Sequence, residues 1–196
     1  MKGFAVRGLL IVFSVLLALF LNGIWEQQKV TANLTAAYRS IRIEVESNRI
    51  ALAVATEYHS TCIAVLDSLL QKSSRDIAGV TFADLLSQNL PNGLNPPNLQ
   101  NAAWNTLHST GLVSHLKFDD AYPFTKLFDL QKKGVGNASA ELAEYYSQPE
   151  LFEKQGNATS LKTLKSLLNE LYEQEKRLLA ETNTVLNAGQ NWRYLE

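Results

Sequence analysis

His59 and Cys62 are the side chains whose types and spacing most invite chemistry. Three apart on a helix, they would share a face, the placement that can chelate a metal or address a haem. Two ligands do not close a site, and only His108 and His115 remain to complete it from elsewhere. Cys62 is also the single cysteine, so neither an internal disulfide nor a cysteine-based zinc site can form. The plainer reading is a buried Cys packing as a small apolar residue, with His59 at its flank. We therefore expect no metal and no cofactor.

Other chemistry is as thinly provided. Ser, His and Asp all occur, but no G-x-S-x-G nucleophile elbow does. The GVG at 134–136 lacks both the preceding strand and the Lys-Ser/Thr of a phosphate-cradling loop. Glu141 and Glu144 share one helix face, as Glu170, Glu173 and Glu175 broadly do, and carboxylates at such positions ordinarily form the solvated side. Three Asn-x-Ser/Thr sequons, at Asn33, Asn137 and Asn157, matter only in a host that glycosylates them. With 18 basic against 19 acidic residues, the chain lacks the concentrated Lys and Arg of a nucleic-acid binder. No catalytic residue is assigned, and the expected class is not an enzyme.

The charge is unevenly spread. Every Asp and Glu lies at or after Glu26, while Lys2 and Arg7 stand alone before the run GLLIVFSVLLALFLNGIW, Gly8 to Trp25. Eighteen uncharged residues at about 1.5 Å each span roughly 27 Å, close to the hydrocarbon thickness of about 30 Å. A cleaved signal peptide has a similar basic start and apolar core. This run is longer than the usual apolar region of such a peptide, and no small-x-small cleavage site follows it. Trp25 stands where an amphipathic ring belongs, at the membrane–water boundary. The basic tail marks the N-terminus as cytoplasmic, so residues 26–196 are expected outside the cytoplasm.

The remaining elements must position whatever the protein does. Between Trp25 and Ser73 there is neither Pro nor Gly, and apolar residues recur at helical spacing through Leu34, Tyr38, Ile41, Val45, Leu52, Ala55, Cys62, Leu66 and Leu69. The span is expected to run without a joint into this helix, which Ser73-Ser74 and Gly79 end. Thr81 caps a short helix, Phe82–Asn89, with Asp84 in the capping-box position. Leu90–Asn98, LPNGLNPPN, is the clearest loop. A helix from about Leu99 to Thr110 stops at Gly111. Asp119 or Asp120 opens the next, with Pro123 in its first turn and Phe124, Leu127, Phe128 and Leu130 on its apolar face. KKGVGNAS loosens or breaks that helix, and residues 140–147 resume it. Thr159 or Ser160 caps the last helix, whose Leu161, Leu164, Leu168, Leu171, Leu178, Val185 and their neighbours repeat at threes and fours over nearly thirty residues. The fold class is all-α: an N-terminal transmembrane helix continuing into a long helix of an extracytoplasmic bundle, with first and last helices antiparallel. The boundaries are 1–7 for the cytoplasmic tail, 8–25 for the span, 26–188 for the helical domain and 189–196 for a C-terminal tail.

This layout resembles a family of bacterial single-pass membrane proteins that share a domain of unknown function. Its pattern is a short basic tail, an anchor with an Asn/Trp-rich exit, a long helix, and a W-x-x-L-x-x-S/T-G element. Here the exit is LNGIWEQQ, Leu21–Gln28, and the later element is AWNTLHSTG, Ala103–Gly111. The exit lacks the second Asn and the acidic pair of the family form. The resemblance implies fold, topology and a bacterial inner (cytoplasmic) membrane, and no activity.

Two sets of residues are candidates for partner contact. Ser14, Ala18 and Asn22 recur every four residues on one face of the span, as small residues at helix–helix seams in lipid do; the alternative is that this face meets lipid. Trp192, Arg193 and Tyr194 combine the residue types of interface hot spots on the C-terminal tail, which either docks on a partner or folds back. Trp104, Tyr122, Phe124, Phe128, Tyr145 and Tyr146 gather in the middle third, as bundle core or as a further anchor patch. The function expected is an accessory or scaffolding subunit of a larger membrane complex, whose partners are other integral membrane subunits and the lipid bilayer. The alternative is an extracytoplasmic sensor or small-ligand-binding bundle acting through a partner, with a tethered hydrolase as a third class.

Overall fold

In a computed structural model of the protein the described residues are 2–71, 80–149, 151 and 158–188, with side chains from Arg7 onward. The expected all-α architecture is present. Helix α1 runs without interruption over Lys2–Gln71. From Gly8 to Trp25 it is an exposed apolar rod, and from Leu34 onward it is the spine of a bundle. This follows from the sequence: the breaker-free stretch gives one helix, and a single apolar stripe begins only at Leu34. All nine residues read as that stripe, from Leu34 to Leu69, are buried.

The other elements fold onto this stripe. They are α2 (Phe82–Asn89), α3 (Ala102–Ser109), a 3-10 turn (Leu112–His115), α4 (Phe118–Leu130), a π-helical segment (Gln131–Gly136), α5 (Asn137–Tyr146) and α6 (Ala158–Ala188). Helix α6 lies antiparallel to α1, since Asp67 pairs with Lys165 while His59, nearer the N-terminus, meets Glu175. The buried Leu161, Leu164, Leu168, Leu171, Leu178 and Val185 of α6 join the same core as the α1 stripe. Each fully buried Leu contributes about 1.5–3 kcal/mol through area removed from water.

Local chemistry sets the ends. Thr81 caps α2 by accepting from the Asp84 amide at 3.1 Å, and its hydroxyl donates to the Asp84 carboxylate at 2.7 Å. Gly111 takes the left-handed conformation (φ 73°) that ends α3, a backbone state open to Gly at little cost. Three expectations are corrected. Helix α3 starts at Ala102 rather than Leu99, because Asn48 engages both the amide and the carbonyl of Gln100 and holds that residue outside the helix. Helix α4 starts at Phe118, so Pro123 sits in its second turn, where the missing N–H removes the donor for the exposed Asp119 carbonyl. The last helix already includes Ala158, which places Thr159 and Ser160 inside its first turn.

KKGVGNAS neither ends the helix nor leaves it regular. The chain passes from α4 through the π segment into α5 without losing its buried stripe of Phe124, Leu127, Phe128, Gln131, Val135, Ala138 and Leu142. Gly134 faces α6, where a Cβ would meet the movable end of the Gln174 side chain at 2.7 Å. The expected end of α1 at Ser73–Gly79 lies outside the described residues.

The core face of α6 is testable. Leu168→Asp buries an unpaired charge and is expected to cost several kcal/mol of a total of about 5–15. Glu170→Lys, on the exposed side, should stay within about 0.5 kcal/mol of wild type. Urea titrations of the full chain in detergent check this, and equal tolerance at both positions would place the core on another face.

Candidate functional site

Two regions carry the features from which function can be read: the free N-terminal third of α1 and a buried polar seam between α1, α6 and the loop at 90–100. In the first, an eighteen-residue window has mean hydropathy 2.3 and none of it is buried in the fold, so this helix is long and apolar enough to cross a membrane. Ser14, Ala18 and Asn22 are exposed on it, as are all their neighbours from Leu9 to Trp25. The Ser14 hydroxyl donates to the Leu10 carbonyl at 2.8 Å, which satisfies it inside the helix and leaves a small, nearly apolar surface. Trp25 is 73% exposed at the end of the rod. Trp192, Arg193 and Tyr194 lie outside the described residues.

The same α1 carries a second exposed apolar group farther on: Ile43, Ile50 and Val54, on the side away from the buried stripe. At about 100° per residue these three fall within about 40° of Ala18 around the helix axis. The face that holds the small residues of the rod therefore continues, uncovered, along the bundle. Lys29 interrupts it once, and Arg39, Glu46, Arg49 and Glu57 lie to one side of it.

The buried seam corrects two expectations. His59 is no flank residue, and Glu175 does not share the solvated side with Glu170 and Glu173. Both are 0% exposed. His59 Nε2 lies 2.6 Å from the Leu94 carbonyl oxygen, which can only accept, so Nε2 carries a hydrogen. Nδ1 lies 2.8 Å from Glu175 Oε2, so one more proton sits between those two atoms. Burial alone pushes the imidazole toward its neutral form. The hydrogen bond and charge of Glu175, with the Leu94 carbonyl, outweigh burial and hold the His59 pKa above its ordinary 6.5. One residue earlier, Tyr58 donates to the Gly93 carbonyl at 2.6 Å. Consecutive α1 side chains thus clamp consecutive carbonyls of the Pro-rich loop, and α6 closes the clamp from behind.

Chemically, this arrangement binds the protein's own parts. Both nitrogens of His59 are occupied by acceptors, and burial raises the pKa of the adjacent Cys62 thiol, keeping it protonated and a poor ligand or nucleophile. Burial, with Cys62 beside it, also pushes the Tyr58 phenol up to about 12. Among the described residues no three His, Cys, Asp or Glu side chains gather in a metal-binding arrangement.

A neighbouring cluster seats the W-x-x-L-x-x-S/T-G element. Glu44 accepts from the Ala103 amide at 2.8 Å and so caps α3 from α1, while Asn48 and Gln131 converge on the Gln100 backbone. Trp104 then stacks on Phe128 (centroids 5.5 Å apart, planes 12°) and leans on Phe124, which meets Tyr38 edge-on. Trp104, Phe124 and Phe128 are therefore bundle core, with Tyr145 and Tyr146 half-buried at its edge. Tyr122 is exposed and stacks instead on Phe118, an aromatic that the sequence reading did not single out.

No family model, curated protein or solved structure matches the chain. The family resemblance thus stands on LNGIWEQQ and AWNTLHSTG alone, and function must be read from the geometry.

The clamp makes two linked predictions. Removing one partner strands a buried polar group, at a cost of about 3–5 kcal/mol, whereas His59→Leu with Glu175→Leu should cost less than either single change. The pH dependence follows from a native His59 pKa that exceeds the unfolded one. The contribution is complete below about pH 6.5 and is lost as pH rises through the raised native value. The denaturant midpoint of the wild type should be lower at pH 9 than at pH 6, and His59→Gln should remove most of that difference. A pH-independent difference between the two proteins would show that no proton is held there.

Proposed function

We propose that this protein is a membrane-anchored accessory or scaffolding subunit of a larger membrane complex. The observation that carries this reading is the unbroken α1, which joins an exposed apolar rod to the spine of a packed bundle with no hinge between them. Such a helix fixes the height and rotation of the bundle relative to anything held in the bilayer. The uncovered face running from Ser14, Ala18 and Asn22 to Ile43, Ile50 and Val54 supports partner contact on both sides of the membrane boundary, since helices associate in lipid through small residues and outside it through apolar ones. The C-terminal Trp192, Arg193 and Tyr194 supply a further contact. The partners are other integral membrane subunits. The membrane is the bacterial inner membrane, with the N-terminus cytoplasmic and residues 26–196 exported, as the basic residues before the rod favour.

A second reading has its own observation. Ala36, Ala37, Ala103, Leu107 and Leu112 line a groove of about 550 Å³ between α1 and α3, within the size range of small-molecule sites. A small apolar ligand held there would make the bundle a sensor. Thr106→Trp, at the groove wall, should displace any small molecule that purifies with the chain.

Topology is checked with Lys162→Cys, exposed on α6, in a Cys62→Ser background. Labelling by a membrane-impermeant maleimide in intact cells is expected, and labelling only after the inner membrane is broken would reverse the orientation. For the scaffold itself, Ala18→Leu combined with Trp192→Ala and Tyr194→Ala should leave insertion and helicity intact while the co-purifying neighbour is lost. Full recovery of that neighbour would remove both contacts.

A further inference from the structure

Helix α4 begins with two exposed aromatic residues, Phe118 at 76% and Tyr122 at 55%. Their rings stack on one another at 5.6 Å, outside the core that takes up Phe124 and Phe128. Their height above the apolar rod can be read from the register of α4 on α1. Phe124 lies beside Tyr38 and Gln131 beside Asn48, so α4 runs parallel to α1 and its first residue falls near positions 32–35 of that helix. That is seven to ten residues past Trp25, roughly 10–15 Å at about 1.5 Å per residue. The polar headgroup layer fills about 5–8 Å of this distance. Side chains in a helix tilt toward its N-terminus, and for α4 that end is the one nearer the rod. The Phe118 ring therefore leans into the remaining gap, with the Tyr122 ring stacked behind it one turn farther from the rod.

We propose that Phe118 and Tyr122 seat the end of the bundle on the bilayer surface, as a second membrane contact beside the span. The inference rests on the membrane reading of α1 and adds its docking partner at this end, the lipid interface itself. Aromatic rings favour that layer, where one side is apolar and the other wet. The local charges are mixed, with Lys117 beside Asp119 and Asp120, so the contact is made by the rings and needs no anionic lipid. Trp25 on one side and the Phe118–Tyr122 pair on the other would hold the bundle at two points and fix its tilt.

The full chain in nanodiscs of phosphatidylcholine alone tests this, with a nitroxide on a single cysteine in a Cys62→Ser background. Lys117→Cys places the label beside intact rings, Lys162→Cys places it on exposed α6 at the far end, and Leu16→Cys reports insertion of the rod. The 117 label is expected to be largely shielded from a water-soluble paramagnet and the 162 label to be open to it. Phe118→Ser with Tyr122→Ser should return the 117 label to the openness of 162. If the Leu16 label reports lipid while the 117 label is as open as 162, the bundle end stands clear of the bilayer and the proposal is wrong. If the Leu16 label is itself open to water, the membrane reading fails with it. Shielding at 117 that survives loss of both rings would also overturn the assignment, since another surface would be making the contact.

Discussion

The architecture depends on the seam between α1 and α6. Two helices that are remote in the chain bury their apolar stripes against each other, and each stripe is broken by polar residues that must find partners in the dark. His59 Nδ1 and Glu175 Oε2 meet across that seam, and the other ring nitrogen of His59 reaches the Leu94 carbonyl. Apolar stripes alone would tolerate a slide of one turn. A buried imidazole facing a buried carboxylate would not, because the slide would leave both unpaired. The pair thus acts on the register of the bundle more than on its net stability. The loop at 90–100 and helix α3 inherit their places from it and from the Asn48–Gln131 cluster one layer below.

That layering separates two tasks along one helix. The bundle-facing side of α1 sets the buried polar residues Glu44, Asn48 and His59 among apolar ones, while its outward side carries Ile43, Ile50 and Val54 beside a row of charges. The first pattern builds a rigid body, and the second leaves a surface for others. A rigid body on an unhinged stalk suits a part whose position is its function, which is the physical content of the scaffold reading.

Much of this could be read from spacing, and what escaped was read from residue type. The α1 stripe, the capped α2, the Gly111 stop and the α6 leucines are all encoded by local periodicity and cap chemistry, and each is where the sequence puts it. Glu175 escaped because carboxylates on a helix usually face water. Yet positions 168, 171, 175, 178, 182 and 185 keep the three–four rhythm only if Glu175 and Thr182 are counted, and both are buried. The same holds on α1, where Asn48 and His59 fill the gaps between Val45 and Leu52 and between Ala55 and Cys62. A polar residue that completes an apolar stripe is a buried residue awaiting a partner. The late start of α3 was beyond local reading, since the side chains that hold Gln100 and cap Ala103 come from Asn48 and Glu44, more than fifty residues earlier.

The distance between His59 and Glu175 along the chain has a consequence for how the protein is made. One hundred and sixteen residues separate them, and synthesis at about 5–20 residues per second spaces their emergence by roughly 6–23 s. Throughout that interval the α1 stripe has no α6 to cover it, although it lies on the same helix as the apolar rod. The nascent chain therefore presents an amphipathic helix with its proper partner still unmade. That stripe stays uncovered until the 31 residues of α6 arrive, an interval set by where the fold places that helix.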